Sequence, residues 1–188
     1  MNELMLDVGQ ANELKLAFRR AEWTPTDIKR LCEGNLASKL LPVVRGLGDV
    51  TITKHVIDCD ANPHVPDGWK VESHRKHGSL EWDLTKIQLY LSPEQQGEKR
   101  IEGNKLRKEL ENQPVLNANV LDYLLKHPEL IPEEWKKQYT FFWGTIYRSS
   151  AGNLYVRCLC WDGESRIWLY GWLEIGFDSG NPAAVAGK

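Results

Sequence analysis

The sequence lacks most of the features that assign a chain to a broad functional class. No apolar run approaches the length of a transmembrane helix, and no charged-then-apolar signal pattern opens the chain. There is also no glycine-rich phosphate loop, no G-x-S-x-G elbow and no internal repeat. Ser, His and acidic residues are present, but their spacing does not define a catalytic triad. We therefore expect a cytoplasmic protein with no membrane partner, no catalytic residue and no cofactor.

An excess of charge of either sign is also missing. The 24 Lys and Arg residues are balanced by 26 Asp and Glu residues, which gives a net charge of -2. A general nucleic-acid-binding protein would normally be basic, so the charge does not favour nucleic acid as a partner. At 188 residues, with 41% hydrophobic and 27% charged, the chain is long enough to bury a core without disulfides or metal.

Cysteine is scarce, and its spacing argues against a zinc site. Cys158 and Cys160 are separated by one residue, whereas a zinc knuckle needs two residues between its cysteines and a second pair elsewhere. Cys32 and Cys59 do not form such a pair. We interpret all four cysteines as small buried hydrophobes.

The clearest positive pattern lies near the end of the chain. Three runs rich in aromatic and β-branched residues, 140–148, 154–161 and 165–173, predict a three-stranded antiparallel meander. The dipeptide Asp162-Gly163 is typical of a two-residue hairpin turn. With that turn, we expect Arg157 opposite Trp168 and Tyr155 opposite Tyr170.

The alternation of side chains along these strands predicts two different faces. The aliphatic face carries Val156, Cys158, Cys160, Ile167 and Leu169. We call the other the aromatic face, and its candidate binding residues are Tyr155, Arg157, Trp161, Arg166, Trp168, Tyr170 and Trp172. Pairing Arg148 with Leu154 adds Phe142 and Ile146 to the aliphatic face, and adds Phe141, Trp143 and Tyr147 to the aromatic face.

Two interpretations of the aromatic face remain open. Helices that cover it would make it a core layer, because large aromatic side chains are usually buried. If part of it is open, its rings and arginines suit the stacking of a ligand or of partner side chains. Five of the eight tryptophans follow residue 134, and this concentration is the reason to retain the second interpretation.

A second candidate site surrounds Asp58 and Asp60. The spacing Asp58-x-Asp60-x-Asn62 resembles the start of a calcium loop, but the sixth and twelfth positions hold Pro63 and Trp69 instead of Gly and Glu. We therefore predict no metal site here. The alternative is a metal-dependent hydrolase or nuclease in which His64 joins the two aspartates. The opposing interpretation is a strand exit where Asp side chains cap their own turn.

A third candidate is a DNA-binding regulator formed by residues 24–45. Thr24, Pro25 and Asp27 predict a helix start, and a further helix is expected from Leu36 to Leu41, before Pro42. The second helix is mostly apolar, and a recognition helix needs polar side chains that reach bases. Core packing is therefore the preferred interpretation of this segment.

The whole pattern predicts an α+β fold: N-terminal helices, a central β segment, a small helical hairpin and the C-terminal meander. The β segment includes a strand expected over residues 50–60. A polar stretch at 92–99 suggests a mobile boundary, so we expect parts at 1–91 and 92–188, which can also form one compact domain.

Three stretches carry a resemblance to other sequences: HVIDCDANPHVPDGWKVE, NQPVLNANVLDYLLKHPELIPEEWK and GNLYVRCLCWDG. They resemble a family of short bacterial proteins to which no activity is assigned. The resemblance covers most of the chain from about Leu36 and implies a bacterial, non-secreted origin. It carries no catalytic role over to any residue.

The leading hypothesis is a non-enzymatic binding or interaction module that uses the aromatic face and has another protein as its partner. The absence of catalytic motifs and the density of Trp and Arg support it. The hydrolase or nuclease and the DNA-binding regulator are the alternatives.

Overall fold

The structure is a computed structural model, and it describes residues 5–32, 36–51, 53–161 and 166–187. The chain divides into two compact units, residues 1–53 and 54–188, which we describe separately. The segment at 92–99, where the sequence suggested a mobile boundary, lies inside the second unit. Ser92 and Gln95 are buried there, and Gln95 Nε2 donates to the carbonyls of Asp178 and Asn181.

The first unit contains three helices: α1 Val8–Arg20, α2 Pro25–Cys32 and α3 Leu36–Val44. The predicted cap of α2 is confirmed, because the Asp27 amide donates to Thr24 Oγ1 over 3.3 Å and the Thr24 amide donates to Asp27 Oδ2 over 2.8 Å. Such reciprocal bonds satisfy amides that a helix start leaves without carbonyl partners.

The expected end of α3 before Pro42 is wrong. The helix continues to Val44, and Gly46, at φ 68°, then terminates it, with Leu47 N bonded to Pro42 O and Gly46 N to Val43 O. Proline removes one helical amide, and the loss is small this close to the helix end.

The first unit does not bury its helices in the way that core packing requires. None of the described residues of α1, α2 and α3 is buried. A unit of about 50 residues has little apolar area to enclose, which accounts for this outcome physically.

The second unit contains ten strands, two α-helices and several short 3-10 helices among its described residues. The strands are β1 Val56–Asp58, β2 Lys70–His74, β3 Ser79–Glu81, β4 Ile87–Tyr90, β5 Ile101–Glu102, β6 Thr140–Arg148, β7 Leu154–Trp161, β8 Arg166–Trp172, β9 Gly176–Phe177 and β10 Ala183–Ala186. The helices are α4 Gly103–Glu109 and α5 Ala118–Lys126, and the 3-10 helices are Leu84–Lys86, Pro93–Gln95, Leu110–Asn112, Pro128–Leu130 and Glu133–Lys137.

A six-stranded sheet organises the second unit. Its strand order is β4-β10-β6-β7-β8, and β2 pairs with the far end of β6. The predicted α+β class and the antiparallel meander β6-β7-β8 are confirmed. The predicted strand at 50–60 is shorter: of the described residues in this stretch, those of β1 form a strand. In the described part of the chain, no helix is long and apolar enough to cross a membrane.

The predicted register of the last hairpin is wrong by two residues. Trp161 pairs with Arg166, so Arg157 lies opposite Tyr170 and Tyr155 opposite Trp172. The turn at Asp162 and Gly163 itself lies outside the described residues. An even shift preserves the predicted sorting of β7 and β8 side chains between the two faces.

A β-bulge in β6 overturns part of the predicted sorting. The pairing of Arg148 with Leu154 is confirmed, and Ile146 faces Val156, but Phe141 faces Cys158. Between Ile146 and Phe141, β6 advances five residues while β7 advances two, so β6 holds three extra residues. An odd number exchanges the faces. Phe141 and Trp143 therefore pack on the aliphatic side, and Phe142 packs on the opposite side with Leu159.

The bulge lies where Asn117 meets Gly144. The Asn117 side chain is fully buried, and its Nδ2 donates to the carbonyls of Cys59 and Arg75 over 2.8 and 2.9 Å. Its Oδ1 caps α5 by accepting from the Asn119 amide. Gly144 in turn donates to the Leu116 carbonyl and accepts from the Arg75 amide. One amide side chain thus joins three segments at the bulge.

Hydrophobic clusters cover both faces of the sheet. On the aliphatic side, Leu106 of α4 and Leu110 pack against Ile146 and Val156. On the opposite side, Val120, Leu121 and Leu124 of α5 pack with Phe142 and Leu159. The sheet is therefore the middle of three layers.

We expect Gly144→Ala to destabilise the second unit by about 3 kcal/mol, at the upper end of the usual cost of overpacking. A Cβ at position 144 would lie 2.8 Å from Asn117 Cβ and 2.9 Å from the Asn117 backbone. Urea unfolding measures the loss. The control is Gly48→Ala, whose Cβ would meet nothing within 4 Å. Equal stabilities for the two variants would contradict the close approach at Gly144.

Candidate functional site

The centre of the predicted aromatic face is covered by α5. Arg157 on β7 is 1% exposed, and its Nη2 lies 2.8 Å from Oδ1 of Asp122 on α5. Burial acts to lower the pKa of Arg157, but the hydrogen bond and charge of Asp122 outweigh it and the pKa is raised. Burial also raises the pKa of the neighbouring Tyr147 to about 12. Arg157 therefore holds α5 to the sheet and is not an exposed stacking cation.

Aromatic rings remain accessible at one end of this face. Trp69 lies 4.7 Å from Tyr155 and 4.7 Å from Tyr170, measured between ring centroids. The two tyrosine rings are 6.3 Å apart and nearly perpendicular. All three side chains are half-buried. We call Trp69, Tyr155 and Tyr170 the Trp69 cluster.

Trp69 is the member of this cluster that sequence reasoning missed. The sequence analysis considered Trp69 only as the twelfth position of the calcium-loop pattern, and the pairing of β2 with β6 was not predicted. The available signal was the Pro66-Asp67-Gly68 turn: Trp69 N donates to Pro66 O, and Gly68 has φ 74°. That turn places the Trp69 ring beside Tyr155 of β7 and Tyr170 of β8.

The remaining predicted residues of the aromatic face are distributed along it. Trp172 is half-buried opposite Tyr155, and its indole N–H has no acceptor among the described residues. Trp161 lies at the far end of β7, where Lys136 Nζ lies 4.5 Å from its ring centroid. Arg166 and Trp168 belong to β8 through their backbones, and their side chains are outside the described part of the structure.

At the second candidate site, the carboxylates of Asp58 and Asp60 accept hydrogen bonds from backbone amides. Asp58 Oδ1 accepts from the amides of Asp60 and Ala61, and Asp60 Oδ1 accepts from the Gly78 amide. His64 is exposed nearby. Across the residues that the structure describes, no group of three His, Cys, Asp or Glu side chains is arranged to hold a metal ion. The arrangement is that of a strand exit, and it adds nothing to the hydrolase or nuclease hypothesis.

The third candidate site lies in the first unit. Ser38 and Lys39 of α3 are exposed, as are the apolar Leu36, Leu41 and Val44. A recognition helix is expected to present a polar face to DNA, and α3 does not. The DNA-binding hypothesis therefore stays a prediction that this geometry does not favour.

Comparisons of this chain with protein-family models, curated proteins and solved structures gave no match. The resemblance to short bacterial proteins therefore stays a prediction.

We expect thiol alkylation at pH 8 to modify Cys32 and to leave Cys59 and Cys158 unmodified in the folded protein. Burial raises the pKa of Cys59 to about 11, helped by Asp58 and Asp60, and raises the pKa of Cys158 to about 12, helped by Cys160. The thiolate is the reactive form. Cys32 is exposed, so the interpretation of all four cysteines as buried is wrong for this residue. Peptide mass spectrometry would locate the label. Rapid labelling of Cys158 without unfolding would contradict its burial.

We expect Asp122→Ala to lower the free energy of unfolding by about 3 kcal/mol, because it leaves the buried Arg157 charge without its carboxylate. The matched control is Glu72→Gln, which removes one carboxylate from the more exposed pair with Arg148. That change should cost much less, because solvent screens an exposed pair. Urea melts of both variants make the comparison, and similar losses would contradict a dominant role for the buried pair.

Proposed function

We propose that this protein is a non-enzymatic binding module whose partner is another protein and whose contact surface is the Trp69 cluster with Trp172. The observation that carries the proposal is the packing of three half-buried rings, 4.7 Å apart around Trp69, at the end of the aromatic face. We further propose that it acts in the cytoplasm, as its sequence suggests.

The chemistry of the cluster supports recognition of protein side chains. Tyr and Trp are enriched at protein interfaces, where they give a large contact area for little loss of side-chain entropy. Their ring faces also attract Arg and Lys. Tyr155 and Tyr170 project from the paired strands β7 and β8, so the cluster is held rigidly before a partner arrives. Preorganisation of this kind lowers the entropic cost of binding.

The location of the cluster supports access by a partner. Among the described residues, β8 pairs with β7 alone and so forms one edge of the sheet. Leu169 of β8 is 44% exposed on the opposite face of that strand. A partner can therefore approach Tyr170 and Trp172 from the side of the sheet edge as well as from above the rings.

We expect Trp69→Ala and Trp172→Ala to leave the protein folded and to abolish partner binding. Both side chains are half-buried, so their loss should cost less than the roughly 3–5 kcal/mol of a fully buried aromatic residue. Urea melts check the fold, and quantitative affinity capture with mass spectrometry compares each variant with the wild type. The matched control is Trp161→Ala, which removes a half-buried Trp at the other end of β7.

The proposal requires a set of proteins that the wild type and Trp161→Ala enrich and that both other variants lose. Identical captured sets for all four proteins would contradict it. A loss of stability in the fully buried range for Trp69→Ala would also contradict it, because the ring would then belong to the core.

A further inference from the structure

A cavity of about 190 Å³ lies on the aliphatic side of the sheet, between β2, α4 and β6. Its floor is apolar and consists of the buried side chains of Leu110, Trp143 and Ile146. Its rim is charged and includes Arg75, Arg107 and Glu111. Ile146 and Tyr147 are adjacent on β6 and point to opposite faces, so this cavity is separate from the Trp69 cluster.

The two arginines of the rim are held near each other by the fold. Arg75 Nη1 donates to the Gln113 carbonyl over 3.0 Å, and Arg107 Nη2 donates to Ser73 Oγ over 3.3 Å. Burial lowers the pKa of Arg75, Glu111 opposes this, and the positive charge of Arg107 lowers it further. A guanidinium has five N–H donors, so both groups have donors to offer beyond these bonds.

Trp143 gives an independent indication of a missing acceptor. The side chain is 3% exposed, it lines the cavity, and its indole N–H is buried without an acceptor among the described residues. A buried donor without a partner is costly, and native proteins normally pair it. The other ring polar groups near the cavity are already used: His74 Nε2 donates to the Cys59 carbonyl, and Nδ1 faces the Thr145 hydroxyl.

We propose that this cavity binds a small organic carboxylate, with its apolar body on the floor and its carboxylate between Arg75 and Arg107, where one oxygen also accepts from the Trp143 indole N–H. An apolar cavity of about 150 Å³ in another protein admits benzene, so this one suits a molecule of the size of benzoate. A carboxylate accepts hydrogen bonds from guanidinium groups in a planar, charge-assisted geometry. Two arginines and one glutamate leave the rim with one net positive charge, which matches a monoanion better than a phosphate dianion.

Benzoate is the probe, and benzamide is its neutral control of similar shape. Isothermal titration calorimetry on the full chain should show saturable benzoate binding at least about tenfold tighter than benzamide binding. Arg107→Gln should weaken benzoate binding by about tenfold or more, since hydrogen bonds to charged groups are the stronger ones. The matched control is Lys108→Gln, which removes a positive charge from the same helix at an exposed residue outside the cavity.

A second measurement does not depend on any substitution at the rim. The indole N–H resonance of Trp143, assigned from its disappearance in Trp143→Phe, should shift as benzoate saturates the wild-type protein. The proposal is overturned by absent benzoate binding, by equal binding of benzamide, or by a Trp143 resonance that does not move. Equal weakening by Arg107→Gln and Lys108→Gln would also overturn it, because it would indicate general attraction of anions. If Arg107→Gln does not fold, Arg75→Gln and the Trp143 resonance decide the outcome.

Discussion

The buried amide of Asn117 is the interaction on which the second unit most depends. Its Nδ2 closes the exits of β1 and β2 through the carbonyls of Cys59 and Arg75, and its Oδ1 begins α5. Gly144 is required because a Cβ at that position would overlap Asn117. Buried carbonyls without donors are costly, so removing this side chain affects three segments together. The bulge in β6 is thus a fixed feature that sets which side chains face which layer.

The Trp69 cluster and the cavity both depend on how β2 pairs with β6 beside Asn117. Val71 pairs with Tyr147, and Ser73 pairs with Ile146, so Glu72 is an extra residue in β2. This bulge in β2 places Trp69 on the aromatic side of the sheet, while Ser73 and the cavity lie on the aliphatic side. The Arg75 backbone is then fixed by Asn117 and Gly144. One short strand consequently supplies residues to two different surfaces.

The fold was predictable where local signals decide and not where distant segments meet. Alternation correctly indicated β6, β7 and β8, and the capping pattern at Thr24 and Asp27 indicated the start of α2. The exchange of faces at the bulge was not predictable, because it depends on the fit of Asn117 against Gly144 across a large sequence separation. For the same reason Trp69 and Arg75 were missed as site residues, since their neighbours lie on β7, β8 and α4. The small Ala183–Ala186 segment gave no strand signal, although it pairs with both β4 and β6.

Amide hydrogen exchange in Asn117→Ala tests most directly whether the Asn117 side chain holds β1, β2 and α5 together at the bulge in β6. Three amides report on it: Arg75 donates to the Gly144 carbonyl, Gly144 to the Leu116 carbonyl, and Ala118 to Thr145 Oγ1. We predict that all three amides lose protection together in Asn117→Ala but not in Asn119→Ala, whose side chain donates to the carbonyls of Asp58 and Ala61. If Asn117→Ala speeds exchange only at the Asn119 amide, Asn117 is a local helix cap and does not hold the three segments together.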